Sequence, residues 1–399
     1  MSHSRTRGWR RIAVLAMAPL LALPAPAATA QGVWVTAPSM PTARAGVTGA
    51  AADCPEGLRG TCVYSIGGAN GGALEAYSPA VGTWATLPRM KTPRFGQATT
   101  TAPCPDGVRG DCVYAVGGIF GGGPVQATAE AYSTETNAWL TVRSMPTARA
   151  NAAAATAPCP EGLGLRGTCV YVFGGTDTVN PTLATVEAYS PATNTWATLT
   201  PLKTPRAAHA GTAAPCPGDL GLKGTCVYAI GGGNTTTPDL ASVEVYSPLL
   251  NAWQYVPDMP TARSDAPGAA TAPCPEGMSD GCVYVLGGLN GSTGLTTAEA
   301  YSPVANAWVT LPSMPTAHRE HGVAAAPCPK NTRTDCVYAY GGLDTAGAQT
   351  AVTEAFAIER EEAGPKPKPS PHPTPTPSAD DPFEDDGLDV QKKAPRPAS

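Results

Sequence analysis

The stretch Cys62-Val63-Tyr64-Ser65-Ile66-Gly67-Gly68 decides the fold, because five near copies follow it, beginning at Cys112, Cys169, Cys226, Cys282 and Cys336. In all six the glycine pair starts five residues after the cysteine. A Glu follows 8 to 13 residues beyond the first glycine, at Glu75, Glu130, Glu187, Glu244, Glu299 and Glu354. Nine residues after each of the first five Glu stands a Trp: Trp84, Trp139, Trp196, Trp253 and Trp308, with Trp34 as a sixth. Ten residues after each Trp comes Arg44, Arg94, Arg149, Arg206, Arg263 or, breaking the series, His318. The frame is rigid and one connection, after Gly-Gly, is elastic.

A Trp-to-Trp period of 50 to 57 residues is too long for paired-helix repeats and suits a blade of four short strands. The Cys-Val-Tyr and Glu-Ala-Tyr-Ser segments alternate with a period of two and carry β-branched or aromatic residues, while no stretch after residue 31 sustains a helical period. The innermost strand follows the Arg and is nearly all Ala, Gly and Thr, as in Ala207-Ala208-His209-Ala210-Gly211-Thr212. Strands that converge on a central axis leave no room for bulky side chains. Gly-Gly, Glu-Ala-Tyr-Ser-Pro, Asn-x-Trp and Leu-Pro-x-Met-Pro-Thr-Ala-Arg together resemble the kelch repeat, over residues 32 to about 358. The resemblance implies an all-β fold: a six-bladed β-propeller with four-stranded antiparallel blades, which the strand count supports.

Trp34 has no inner three strands before it, and the last repeat ends after Glu354 and Phe356 without a Trp. These deficits are complementary. The segment around Trp34 is therefore expected to supply the outer strand of the last blade, tying the two ends of the ring together.

Twelve cysteines fall into six local pairs that bracket the turn between the first two strands: Cys54 and Cys62, Cys104 and Cys112, Cys159 and Cys169, Cys216 and Cys226, Cys274 and Cys282, Cys328 and Cys336. An even count and two hairpin ends that must approach each other favour disulfides over zinc, for which Cys-x-x-Cys spacing is lacking. Each would stabilise by about 2.5 kcal/mol in the loop-entropy model. The N-terminus agrees with this redox setting. Arg5, Arg7, Arg10 and Arg11 precede an apolar run from Ile12 to Leu23 and then Ala28-Thr29-Ala30, so residues 1–30 read as a secretory signal peptide and the protein as secreted or cell-surface. Residues 31–363 form the propeller domain in this reading. Residues 364–399 are Pro-rich, then acidic, and read as a disordered tail that could touch the cell envelope. No transmembrane segment is expected after the leader is removed. A formal net charge of −5 without clustered Lys or Arg makes nucleic acid a poor partner.

In such a blade the disulfide turns mark one face. The Met-Pro-Thr-Ala-Arg turns and elastic loops mark the other, where loops on a rigid scaffold bind. The repeated Glu and Arg are expected to satisfy each other inside every blade. What breaks the repeat is more pointed: two residues after the Arg position stand Gly46, Gly96, Asn151 and Ala208, but then Asp265 and Glu320. With His209, His318, Arg319 and His321 these make the one asymmetric polar constellation, a candidate ligand site at the channel mouth. No catalytic residue, metal or cofactor is assigned. The resemblance also brings in two kinds of enzyme. Copper-radical oxidases need a free Cys cross-linked to Tyr, whereas here every Cys is used in a hairpin pair. Exported acidic-sugar mutarotases use a carboxylate with an Arg, roles that Glu320 and Arg319 could fill chemically. The expected function is a non-enzymatic scaffold recognising a protein or a carbohydrate such as a polysaccharide on the face opposite the disulfides; the alternative is a mutarotase or epimerase with its site at the channel mouth.

Overall fold

The computed structural model describes residues 32–69, 71–265, 268–275, 281–329 and 334–359. The expected leader and Pro-rich tail lie outside the described residues. Six four-stranded antiparallel sheets are arranged as blades around an axis. Their innermost strands are Val47–Asp53, Ala98–Pro103, Ala153–Pro158, Ala210–Pro215, Gly268–Ala272 and Gly322–Pro327, numbered here as blades one to six. The Cys-Val-Tyr runs form the second strands and the Glu-containing runs the third, and both are almost wholly buried. The fifth blade adds a small ribbon, Leu289–Asn290 with Thr293–Gly294, in its elastic loop.

Gly32–Ala37 pairs antiparallel with Thr353–Ile358, with Trp34 opposite Phe356. The N-terminal strand thus completes the sixth blade. The register places the Trp34 indole against the Phe356 ring at 5.3 Å, the contact made elsewhere by Tyr and Trp within one blade, as in Tyr189 and Trp196 at 5.2 Å.

The apolar core is divided among the spaces between blades. One cluster joins Tyr171 and Phe173 of the third blade to Val227, Tyr246 and Trp253 of the fourth. Each Trp indole then donates across the same space to the loop that follows the preceding outer strand: Trp139 to the Pro88 carbonyl at 2.8 Å, Trp253 to Thr200 at 3.0 Å, Trp308 to Pro257 at 2.8 Å. This is why a Trp recurs at one position. Its ring fills the gap and its N–H, which cannot be left unpaired in a buried setting, fixes the neighbouring loop.

All six cysteine pairs are disulfides, closing sequence separations of 8 or 10 residues with Cα–Cα distances of 4.8 to 4.9 Å. Beside each bridge a second-strand Tyr donates its hydroxyl to the end of the inner strand, as Tyr64 does to the Asp53 carbonyl at 2.6 Å and Tyr228 to Pro215 at 2.6 Å. On the same face, third-strand tyrosines donate to an Asn in the next turn: Tyr132 to Asn137, Tyr189 to Asn194, Tyr246 to Asn251 and Tyr301 to Asn306. Those four Asn adopt left-handed φ of 46° to 51°, a conformation Asn tolerates. The first blade has Gly82 there, at φ 80°, and the buried Tyr77 hydroxyl is left without a partner.

Candidate functional site

The face opposite the disulfides is built on a repeated buried ion pair. Arg44 meets Glu75 at 2.6 Å, Arg94 meets Glu130 at 2.6 Å, Arg149 meets Glu187 at 2.5 Å, Arg206 meets Glu244 at 2.8 Å and Arg263 meets Glu299 at 2.7 Å. Each guanidinium also donates to the first glycine of the pair, as Arg44 does to the Gly67 carbonyl at 2.7 Å. Each Glu accepts from the Thr turn, as Glu244 does from the backbone N–H groups of Lys203 and Thr204. Burial pushes all five Arg below their usual range while the paired carboxylate opposes that shift. These groups lock loops to strands and present nothing to solvent.

His318 belongs to this set. It is fully buried and its Nδ1–H donates to the Gly341 carbonyl at 2.8 Å, where the other blades use an Arg. Its Nε2 lies 3.0 Å from Thr316 Oγ1, whose hydroxyl also reaches Glu354 at 2.5 Å. His318 is thus a blade-six substitute for the missing guanidinium, and the structure does not bring it to the mouth.

The residues two beyond the Arg position form a collar at that mouth. Gly46, Gly96, Asn151, Ala208, Asp265 and Glu320 all have left-handed φ, from 50° to 67°. Backbone bonds run round the collar from Asn151 N–H to Gly96 O (2.7 Å), Ala208 to Asn151 (2.9 Å), Glu320 to Asp265 (3.2 Å) and Gly46 to Glu320 (3.0 Å). At position 96 glycine also leaves room for a neighbour: a Cβ there would stand 2.5 Å from Asn151 Oδ1, which would have to turn aside. Asn and Asp accept this conformation readily, whereas Ala208 and Glu320 hold it at a cost of about 1 kcal/mol or more.

Asp265 and Arg319 come together across the fifth and sixth blades at 2.8 Å, with roughly a quarter of each side chain exposed (26% and 27%). Glu320 follows Arg319 directly but is not part of the pair: burial, then the neighbouring Asp265 charge, raise its carboxyl above the usual range, and Arg319 opposes this only in part. His209 and His321 lie below the collar, 5% and 3% exposed, on the wall of the axial channel. The six sequence candidates therefore divide into a surface trio (Asp265, Arg319, Glu320), two channel-wall rings (His209, His321) and one internal clamp (His318). Among the described residues no group of three or more His, Cys, Asp or Glu could hold a metal ion.

Beside the trio a groove of about 400 Å³ runs over the third, fourth and fifth blades, lined by Pro181, Thr182, Asn234, Thr235, Pro238 and Asp265. Its loops are braced. Asn234 Oδ1 accepts from the N–H groups of Thr236 and Thr237, at 3.0 and 2.8 Å. Asp239 accepts from Ser264 Oγ at 2.5 Å and from the Gly291 N–H at 2.7 Å, joining two blades. Opposite the trio, Phe95 and Phe120 are exposed aromatics on the same face. Sequence reading missed Phe95, which occupies the register that Arg319 occupies in blade six. It also missed Gln97, three residues after Arg94 just as His209 follows Arg206; placing the six repeats in register would have revealed both.

Comparison with known proteins agrees with this architecture. The family model described as Kelch motif matches residues 101–146, 163–203, 222–260 and 277–315. Kelch-like protein 36 of Mus musculus is 28% identical over 221 residues, 52% of this chain and 31% of that protein. Kelch-like protein 23 of Homo sapiens is 28% identical over 161 residues, 40% of this chain and 23% of that one. The chain thus matches about a third or less of the length of these curated relatives. A solved structure titled "Structure of YjhT" superposes with a TM-score of 0.57 at 16% identity, covering 82% of this chain and 98% of that one, a likeness of fold. With six blades, the Arg–Glu clamp in five of them and the Trp register on the page, the chain is a kelch-repeat β-propeller.

Proposed function

We propose that this propeller is an exported, non-enzymatic scaffold that takes a protein or carbohydrate partner on the face opposite its disulfides. The observation that carries the reading is the contrast between the two faces. One is stapled by six disulfides; the other presents loops of variable length over a fixed collar, with a braced groove of about 400 Å³ and an exposed Asp265–Arg319 pair. Rigid strands that hold adaptable polar loops suit recognition without a large ordering cost. Export is supported by the disulfides, which persist in oxidising compartments, and by the leader-like N-terminal residues. The channel neck below the collar, about 100 Å³, is small for an acidic sugar, and Arg319 is already engaged by Asp265; both favour a scaffold over a mutarotase.

The test pairs a glycan array and a panel of extracellular proteins with face-selective variants. Thr235→Arg and Arg319→Ala are expected to abolish the interaction found, and Leu250→Arg on the disulfide face to leave it intact. The reverse pattern would overturn the reading. Accelerated anomer exchange of an acidic sugar by NMR, lost in Glu320→Ala, would replace it with the enzymatic one.

A further inference from the structure

Five blades build their internal clamp on a guanidinium; the sixth uses an imidazole, and the hydrogens there do not add up. His318 and Glu354 are 0% and 4% exposed and lie 3.6 Å apart, Nε2 to Oε2. Nδ1 faces the Gly341 carbonyl at 2.8 Å, and a carbonyl only accepts, so Nδ1 carries a hydrogen. In a neutral ring Nε2 is then a bare lone pair. It faces Thr316 Oγ1 at 3.0 Å, and that oxygen lies 2.5 Å from Glu354 Oε1. The hydroxyl has one proton for two acceptors. Its counterparts show where that proton goes: the Thr42, Thr147 and Thr261 hydroxyls donate to Glu75, Glu187 and Glu299 at 2.7 to 2.8 Å. With Thr316 doing the same for Glu354, Nε2 and Oγ1 stand at hydrogen-bond distance with no hydrogen between them, and the fully buried ring is closed to solvent.

We infer that one proton taken up at His318 Nε2 completes the sixth-blade clamp, which makes it a pH-sensitive fastening beside five permanent ones. The proton gives an unbroken chain, Nε2–H to Thr316 Oγ1 and Thr316 O–H to Glu354 Oε1. It also sets a cation opposite a carboxylate, the pattern that the always-protonated Arg maintains in the other blades. Thr316 is exposed, so the proton exchanges with solvent at that end of the chain. The other charged and titratable groups on the surrounding elements are engaged elsewhere. Arg263 is held by Gly287 and Glu299, Arg44 by Gly67 and Glu75, and Arg319 by Asp265; the Tyr340 hydroxyl donates to the Tyr64 carbonyl, and Glu320 stands in the collar. His321 lies 5.6 Å away, ring to ring. Burial, then His318 and Arg263, hold His321 well below its usual range, so of the two rings it is His318 that takes the proton. The turn around His318 also carries Arg319 and Glu320, and it is tied to its neighbours by Gly288 N–H to His318 O and Leu343 N–H to Arg319 O, each at 2.8 Å. Loss of the proton therefore loosens the turn that bears the charged side of the mouth. The inference stands whatever partner that face takes.

The test is 15N NMR of the full chain labelled at histidine, titrated from about pH 5 to about pH 9, a range that brackets an ordinary imidazole, together with amide hydrogen exchange. Nδ1 of His318 is expected to stay protonated throughout, while Nε2 gains its hydrogen toward acid. Protection of the Gly288 and Leu343 amides, corrected for intrinsic exchange, is expected to be about tenfold higher at the acid end, the contribution of one charge-assisted hydrogen bond. The Gly232 amide, which donates to Arg263 O at 2.9 Å, is the internal control and should not change. His318→Arg should fix the protection at the high level and His318→Gln at the low one, both without pH dependence. An Nε2 that is bare, or protonated, at both ends of the range would overturn the proposal. So would a proton found on Glu354 instead, or the same pH dependence in His318→Arg as in the unaltered chain.

Discussion

The indole N–H of Trp34 donates to the carbonyl of Pro312 at 2.7 Å, across 278 residues of sequence. It is the same bond that Trp84 makes to Pro38 at 2.7 Å, on the other side of the sixth blade. The ring is therefore closed by the same Trp bond that joins the other blades, to which the seam adds the Tyr340 hydroxyl of the sixth blade donating to the Tyr64 carbonyl of the first at 2.8 Å. The six-residue N-terminal strand supplies the outer edge of the closing blade.

Deleting residues 31–37 should lower the melting temperature of the whole propeller in one cooperative transition, since it exposes Phe356 and leaves a sheet edge unpaired. Deleting 364–399 should leave the transition in place. Calorimetry on both truncations checks this, and equal melting of the N-terminal deletion and the intact chain would refute the assignment.

Gly82→Asn should stabilise. Nothing lies within 4 Å of a Cβ built at Gly82, four sister turns already use Asn in this conformation, and the buried Tyr77 hydroxyl would gain the acceptor it lacks. A gain of about 1 kcal/mol is expected in urea unfolding.

The two classes of carboxylate should separate cleanly on mutation. Glu187→Ala leaves the buried Arg149 guanidinium uncompensated and should cost about 3–5 kcal/mol. Asp265→Asn breaks a pair about a quarter exposed while keeping a side chain that tolerates the left-handed backbone, and should cost about 1 kcal/mol or less. Denaturant midpoints of the two variants measure the contrast.

Acid should destabilise through His209 and His321. Their folded-state pKa values are lowered by burial, with Arg206 acting on His209 and His318 and Arg263 on His321. The unfolded chain therefore binds more protons. The stability tied to the neutral rings is fully present above the unfolded value of about 6.5 and is lost progressively as pH falls below it. Glu320 works in the opposite sense, since its raised carboxyl favours the folded state at low pH. The double variant His209→Gln with His321→Gln, which copies the Gln97 arrangement of blade two, should flatten the fall in melting temperature between pH 7.5 and 5.5; an unchanged slope would place its origin elsewhere.

The fold was legible because spacing constraints were redundant. Cys62 to Gly67, Glu75 to Trp84 and Trp84 to Arg94 each repeat, so strand order, register and the six disulfides could be read without coordinates, and the orphan Trp34 and unmatched Phe356 revealed the closure. The candidate site was legible only in part. Asp265 and Glu320 stand out in sequence as charges, but the structure shows that their position first demands a left-handed backbone, which Gly, Asn and Asp meet easily. His318 differs from its Arg counterparts in sequence yet performs their task, donating to the Gly341 carbonyl. The Gln97, His209 and His321 alternation spans three repeats, and no local window contains it.

The pairing of Gly32 with Ile358 also sets how the molecule would answer to force. The outer strand begins where the third strand ends, so tension applied at the two flanks of the propeller pulls its ladder bonds apart one at a time, as a zipper opens. The disulfides, each confined to one hairpin, bear none of that load. Under stretch the ring should open first at the sixth blade and at low force, while the other five blades remain stapled.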